Sequence, residues 1–580
     1  MKWKILSPDP RTEAFAREIL LLPPVAAALL SRAMEDKKAV EDYINVSSSA
    51  LPDAYLMNDF KKALALLDDA VEKKQKIYIY GDYDADGVMS TVILYRALWE
   101  LGADVHYYVP HRVYDGYGLN SAAVERIAGE GCNMLITCDN GIAALDEIAL
   151  AKKHGMRVII LDHHEPICTD EEQVLPHADA VVDCKRTDNT YPFRDMCAGG
   201  LCYRFVKEFY KYTGRKFSLD RELVTFAGIA TVCDIVSLRG DNRVFVKNAL
   251  YLLNNAVYNR GLCALLNLLG KEKGTISTYT IGFNIGPCIN AVGRLETAAE
   301  AVELFITTDR EKAEDYAKLL VQTNKERQEI TDSAAQRLID TVDPSQAVQV
   351  LYDPDIHESV AGLIASRVKE KFYRPTLVIT NAENGCKGSG RSVEEYDMFG
   401  KMSVYRELFT KFGGHTMACG FSIPYENIDV LRKALNETCG LDPKELEPTL
   451  KLVCEIPLDD LNIELAYQLE KLEPFGKDNE KPRYCTRAAR IATVRLVGAK
   501  KSIAQLTFLS PSGKQIRGIF FDGADRIREL MPANSDKEVL DKFENGFSAE
   551  VDITADIAYT VEINSFNGRD YLQINIADIQ

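Results

Sequence analysis

Acidic and histidine side chains recur in four clusters, each just after an apolar run: Asp82-Tyr83-Asp84-Ala85-Asp86-Gly87, Asp139-Asn140-Gly141, Asp162-His163-His164 and Asp234. Within the first cluster, Asp82, Asp84 and Asp86 alternate. Alternate residues of an extended backbone face one side, so an extended loop there would aim three carboxylates together. Carboxylates mixed with imidazoles suit manganese, zinc or iron, and carboxylates with water suit manganese or magnesium. One carboxylate can bridge two such ions about 3.5–4 Å apart, and the pair then clamps the attacking and leaving oxygens of a phosphate ester. A calcium loop of the EF-hand type is disfavoured, because Ile93 and Leu94 stand where its bidentate glutamate belongs and an apolar strand precedes the cluster. Each cluster alone has a bland reading, as a solvated loop or a satisfied core histidine. Together they point to metal-dependent cleavage of phosphate esters.

Something must gather side chains so distant in sequence. Between about 76 and 240, apolar β-rich runs (Ile77–Tyr80, Val105–Val109, Met134–Thr137, Val158–Leu161, Ala180–Val182) alternate with helical stretches such as Ser90–Trp99, Ala122–Ala128 and Leu145–Lys153. That alternation predicts a parallel sheet covered on both faces. Ligands of such sheets bind beyond the carboxyl ends of the strands, where Asp82, Asp139 and Asp162 fall. Residues 1–75 read as short helices, with Pro23-Pro24 starting one and Phe60–Lys73 forming another. Residues 241–344 read as helical, and Leu304–Asp340 as one long polar connecting helix. A second α/β unit is expected over 345–445, with strands Ala347–Leu351 and Thr376–Ile379 around helix Val360–Lys371, and glycine-rich turns at Gly388-Ser389-Gly390 and Gly413-Gly414. From about 450 to 580 short strands dominate (Ala492–Leu496, Ile503–Leu509, Ile516–Phe521, Ser548–Ile553, Val561–Ile563, Tyr571–Ile576), with Asn567-Gly568 a strong hairpin turn. This predicts an all-β barrel, an OB-type barrel being one good candidate.

The 580-residue length exceeds what one core supports, so three or four domains are expected. The formal net charge of −17 argues against a wholly basic nucleic-acid coat protein, yet a local basic groove with bound metals can still take nucleic acid. The 14 cysteines include no CxxC pair, and several sit in apolar runs, which suits a reducing cytoplasm. Neither an apolar signal core at Met1-Lys2-Trp3-Lys4 nor a membrane-spanning run is present, so a soluble, cytoplasmic protein is expected.

The four clusters resemble the four motifs of the DHH phosphoesterase superfamily. More narrowly, the chain resembles the RecJ family of bacterial single-strand-specific 5′-to-3′ DNA exonucleases. That match rests on Val109-Pro110-His111-Arg112 with Gly116-Tyr117-Gly118-Leu119-Asn120, on Gly286-Pro287-Cys288-Ile289-Asn290-Ala291-Val292-Gly293-Arg294 and on His357 to Arg367. Lys387-Gly388-Ser389-Gly390-Arg391-Ser392 and Phe412-Gly413-Gly414-His415 resemble the DHH-associated domain, and Leu472-Glu473-Pro474-Phe475-Gly476 the start of the family's OB-fold region.

The resemblance implies that Asp84, Asp86, Asp139, His163 and Asp234 ligate two divalent metals, manganese first and magnesium as the alternative, with Asp139 bridging. Asp82 and His164 would support that catalytic site. Arg112, Arg294, Ser389 and Arg391 would hold the 5′ end and backbone of the DNA, and His415 would face the cleft from a glycine-rich loop. Tyr114, Tyr117 and Phe475 are open to base stacking or to plain packing, and His357 receives no role. Cys288 stands where many relatives carry a basic residue, which would weaken one phosphate contact, and Ala361 where a larger apolar residue is common. Two-metal hydrolysis of single-stranded DNA from the 5′ end, releasing 5′-mononucleotides in DNA repair and recombination, is the implied function. A helicase and a single-strand-binding protein are the implied partners, the chain acts as a monomer, and no C-terminal partner-binding module is expected. Two alternatives stand beside it. One is a small-substrate DHH phosphodiesterase acting on short oligonucleotides or cyclic dinucleotides. The other is a non-catalytic single-strand-binding replication scaffold, which would have lost the ligands present here.

Overall fold

The computed structural model describes residues 1–580 apart from 113, 117, 170–171, 383–384, 443–445 and 532–536. Tyr117, a candidate stacking residue, therefore lies outside the described residues. The chain divides into two compact units, Met1–Ser47 with Glu447–Gln580, and Ser48–Leu446.

The larger unit contains a five-stranded parallel sheet in the order Val105–Tyr108, Ile77–Tyr80, Met134–Cys138, Arg157–Asp162, Ala180–Asp183. Both faces are covered, as the strand composition requires. Ile77, Ile79, Ile136 and Ile159 pack into one core, while Tyr78, Tyr80, Leu135 and Ile160 pack into the core on the other face. This period of two follows from the pleat. Strand order reverses between Ile77–Tyr80 and Met134–Cys138, and a crevice opens at such a switch point. Asp82 and Asp139 follow those two strands.

The connecting helix is shorter than the sequence suggests. One helix ends at Ile306, and the long one runs Arg310–Ile339, because the Asp309 carboxylate caps it by accepting from the backbone N–H groups of Glu311 and Lys312 at 2.8 and 3.2 Å. Beyond it lies a mixed sheet in the order Lys411–His415, Ala418–Ile423, Gly385–Arg391, Thr376–Ala382, Gln349–Tyr352. The glycine-rich stretches expected as turns are strands of this sheet. Gly388 is small because the Phe421 ring covers it: a Cβ there would lie 2.2 Å from the ring.

In the other unit, a five-stranded closed barrel is built from Tyr484–Val497, Ile503–Leu509, Gln515–Phe520, Ala549–Phe566 and Arg569–Ile579. Ala549–Phe566 is a single strand of 18 residues where the sequence suggests two. Asn567 and Gly568, both at positive φ, turn it into the last strand. Besides the expected helices, the N-terminal segment supplies a strand, Lys2–Ile5, paired in parallel with Thr449–Leu452. Phe15, Val25 and Leu29 share a core with Leu465, Tyr484 and Ile557 of the same unit. Among the described residues no helix is long and apolar enough to cross a membrane.

Candidate active site

The first acidic cluster is not an extended loop. Asp84 is the N-cap of helix Ala85–Glu100, its Oδ1 accepting from the N–H groups of Asp86 and Gly87 at 3.0 and 3.1 Å. Asp86 lies inside the first turn. The three carboxylates converge through helix capping, not strand alternation, and one oxygen of Asp84 stays clear of the cap. Gly87 is needed because a Cβ would sit 2.6 Å from the Asp82 backbone. Asp86 is steered from the far side: its two oxygens accept from Ala198 N–H (2.8 Å) and Gly199 N–H (2.7 Å), at the N-terminus of helix Ala198–Tyr212.

Asp139 takes a left-handed backbone (φ 63°), and the Asn140 side chain ties the turn to the Gly81 and Cys138 carbonyls at 2.9 and 3.0 Å. Asp162 is the last residue of its strand. Its carboxylate accepts from Ile142 N–H (2.9 Å) and His163 N–H (2.8 Å) and lies 2.8 Å from His164 Nδ1. Asp162 thus fixes the backbone at His163 and orients the His164 ring, a task the sequence left open. Asp234 caps the C-terminus of helix Asp220–Cys233.

These elements bring Asp82, Asp84, Asp86, Asp139, His163, His164 and Asp234 together. Three sets place ligand atoms within 4.8 Å of one another: Asp86, His163 and Asp234; Asp82, Asp84 and Asp139; and Asp139, His163 and His164. Asp139 belongs to two sets and its Oδ1 is 3.1 Å from His163 Nε2. Among the described residues, Asp82 Oδ1 and Oδ2 and His163 Nδ1 are buried without a hydrogen-bond partner.

The electrostatics suit a cation. Burial, then the charge of Asp84, raises the Asp82 carboxyl. Asp86 is raised to about 7 by burial and Asp84. Asp139 and Asp234 are raised by burial and then by Asp86. Burial also lowers His163 to about 3, leaving its ring neutral and fit to ligate. His164 differs: burial works against its charge, but the Asp162 hydrogen bond raises it to about 9. Buried orphan oxygens, mutually repelling carboxylates and a neutral imidazole form a donor set for divalent cations, which would reverse the repulsion.

Beside this centre, and within the same unit, lies a cleft of about 420 Å³ lined by Tyr83, Arg112, Arg294, Ser359, Ser389 and Arg391 among others. Burial, then Arg112 and Arg327, lowers Arg294 to about 9, and burial and Arg112 lower Arg391. Guanidinium groups crowded in this way prefer an anion among them. Arg112 lies over the Tyr83 ring at 4.8 Å, Arg294 donates to the Ser359 carbonyl at 2.6 Å, and Arg391 donates to Ser389 Oγ at 3.0 Å.

His415 does not join them. It ends strand Lys411–His415, is exposed, and is absent from the cleft lining, which takes Lys411, Phe412 and Gly413 instead. The loop placement expected from its glycines fails because those glycines pair in a sheet. Tyr114 is 85% exposed with its ring against His111, while Phe475 packs partly on the core of the other unit. Ala361 also lines the cleft. Cys288 is buried and its Sγ accepts from Asn324 Nδ2 at 3.5 Å, while Asn324 Oδ1 accepts from Arg327 Nη2 at 2.6 Å. Arg327 was not legible beforehand, since on a polar helix it resembles any solvated charge. Asn290 likewise carries no local signal of its contact, although it stands in the Gly286–Arg294 block.

Family models match residues 76–231 as the DHH family N-terminal domain, 345–441 as the DHHA1 domain and 454–578 as the RecJ OB domain. The single-stranded-DNA-specific exonuclease RecJ of Bacillus subtilis (strain 168) is 33% identical over 545 residues, spanning 92% of this chain and 67% of that protein. Its namesake in Dickeya dadantii (strain 3937) is 29% identical, covering 96% of each. Among solved structures, RecJ of Thermus thermophilus in complex with Mn2+ has a TM-score of 0.81 at 24% identity, covering 100% of this chain and 79% of that one. A manganese-bound exonuclease RecJ has a TM-score of 0.59 at 30% identity, covering 68% of this chain and 97% of that one. The chain belongs to the RecJ family of DHH phosphoesterases.

Proposed function

We propose that this protein is a metal-dependent, single-strand-specific 5′-to-3′ DNA exonuclease that releases 5′-mononucleotides in DNA repair and recombination. The observation that carries the reading is the arginine-lined cleft beside the seven-residue carboxylate and histidine centre. A terminal phosphate held by Arg112, Arg294, Arg391 and Ser389 sets the first internucleotide linkage over the acidic centre. Asp84, Asp86, Asp139, His163 and Asp234 would hold two divalent cations, manganese or magnesium, with Asp139 the residue placed to serve both. A cation pair there supplies Lewis-acid stabilisation of the charge that grows on the phosphoryl oxygens. His164, charged through its bond to Asp162, stands ready to neutralise a phosphate oxygen. Arginine forks fix the substrate bidentately, so positioning supplies much of the rate. Relatives named as single-stranded-DNA-specific exonucleases support the substrate assignment.

The working domain layout assigns chemistry to 76–240 with 345–445, and strand guidance by stacking and charge to 450–580. The chain acts as a monomer in the cytoplasm, where its 14 unpaired cysteines stay reduced, and receives single strands from a helicase and a single-strand-binding protein. The purified protein, given manganese and a long single strand labelled at either end, should release labelled mononucleotide from the 5′ end first and spare a duplex. Turnover of dinucleotides alone would reassign it to small substrates, and binding without cleavage under manganese or magnesium would reassign it as a scaffold.

A further inference from the structure

Tyr279 and Phe283 are each 65% exposed, yet their rings stack on one another, with centroids 4.6 Å apart and planes 18° apart. Two large aromatic rings turned to solvent as a flat pair are unusual away from a binding surface. Their backbone is also unusual. Pro287 has no N–H to donate, and Ile281–Ile285 instead form a π-helical turn in which Gly286 N–H reaches the Ile281 carbonyl. Such turns recur at functional sites. Ile281 and Ile285 point into the core, which leaves Tyr279 and Phe283 on the outer face.

The pair is fixed beside the acidic centre. A Cβ on Gly286 would fall 2.6 Å from Cys233 Sγ, and one on Gly282 would be 3.7 Å from Val232, so the π turn lies on the helix end that carries Asp234. Next to it Ile235 is 68% exposed in a left-handed backbone (φ 57°), adding apolar surface on the same helix end.

Helix Gly286–Leu295 then acts as a ruler. Arg294, near its C-terminal end, reaches the arginine-lined cleft. Asn290, midway, accepts from Ala85 N–H at 2.8 Å and so touches the start of the helix that carries Asp86. Phe283 lies before its start, about 16 Å along the axis from Arg294 at 1.5 Å per residue. Cleft, acidic centre and aromatic pair therefore follow one another in a line.

We infer that Tyr279 and Phe283 form a stacking platform for nucleobases on the 3′ side of the scissile bond. This rests on the exonuclease reading, which puts the 5′ phosphate in the arginine cleft. The strand must then leave past the opposite end of the helix. Only an unpaired base can offer its face to such a platform, so the pair also contributes to rejecting duplex.

The test uses the full chain with manganese. Tyr279→Ala/Phe283→Ala is compared with Tyr279→Phe/Phe283→Tyr on a long single strand and on a dinucleotide. Expected is a KM about tenfold higher for the long strand in the alanine variant, a smaller change for the dinucleotide, and near recovery in the aromatic swap. In parallel, 2-aminopurine placed at successive positions of the strand is read by fluorescence with metal chelated, so that no cleavage occurs. Wild type should quench it a few nucleotides from the 5′ end, and the alanine variant should not. Equal KM changes on both substrates, or unaltered quenching, would overturn the platform. If the variant binds DNA normally but loses self-association in sedimentation, the face belongs to a second copy and the inference fails. If wild type cleaves nothing yet shows position-dependent quenching that the alanine variant loses, the platform stands and the exonuclease reading falls instead.

Discussion

The side-chain oxygen of Asn290 accepts a 2.8 Å hydrogen bond from the backbone N–H of Ala85, joining the helix that carries Arg294 to the helix start that carries Asp84 and Asp86. A second contact reinforces it: a Cβ on Gly293 would lie 2.3 Å from the Tyr83 carbonyl. Asn290→Ala would leave the Ala85 donor unpaired at a cost of about 1–3 kcal/mol. Because the first turn of the helix can then shift, we expect roughly ten- to hundredfold weaker manganese binding with the fold retained. Manganese titration followed by electron paramagnetic resonance reads this, and wild-type affinity in the variant would contradict the clamp.

Alanine at Asp84 or Asp139 should abolish cleavage of single-stranded DNA. Asp139 is the stronger case, since it sits in two of the three convergent sets. Near-normal turnover in either variant would remove the metal assignment.

Metal removal should couple to pH. In the folded protein burial and the neighbouring Asp84 hold Asp86 at about 7, against about 4 for an ordinary aspartate. Between those values the folded state binds more protons than the unfolded state, so this group lowers stability as pH rises through the window. Bound manganese cancels the repulsion. The gap in melting temperature between manganese-loaded and metal-free protein should therefore widen from about pH 4 to about pH 7. A gap that narrows over that range would be inconsistent with a carboxylate cluster held by cations.

Arg391→Lys keeps the charge but loses the planar fork that Arg391 presents beside Ser389. We expect KM for 5′-phosphorylated strands to rise about tenfold, with a smaller effect on strands ending in a 5′ hydroxyl. Equal effects on both would mean that Arg391 does not read the terminal phosphate.

Introducing a basic residue at Cys288 should destabilise the protein. The thiol is buried against Asn324, and Asn324 holds Arg327, whose charge already bears on Arg294. Cys288→Arg would add a buried guanidinium near the like charge of Arg327, and a melting temperature several degrees lower is the expected result. An unchanged melting temperature with tighter DNA binding would reverse this view.

Much of the site was legible because its ligands sit at strand ends. A parallel sheet collects Asp82, Asp139 and Asp162 whatever the loops do. The local geometry was not legible. Asp86 belongs to a helix because Asp84 caps it, and alternation in sequence cannot distinguish a cap from an extended loop. Gly388 and Gly413 read as turns because glycine marks turns, yet Gly388 lies in a strand under the Phe421 ring and Gly413 pairs with Gly420 between strands. Leu304–Asp340 read as one helix because Thr307 to Asp309 form a short interruption without glycine or proline. Arg327 and Asn290 depend on contacts across elements, for which a single sequence carries no local signature.

The smaller unit is assembled from the two ends of the chain, with Ser48–Leu446 between them. On the ribosome its first helices emerge early, yet the strands that complete their core are translated only after Ser48–Leu446. At about 5–20 residues per second the wait is roughly 20–80 s. During it Phe15, Val25 and Leu29 have no barrel to pack against, while Ser48–Leu446 can close around its own sheets. Nascent chains stalled with residues up to about 446 outside the ribosome should therefore present an exposed apolar N-terminal segment beside a folded Ser48–Leu446 unit, a substrate for chaperones during synthesis.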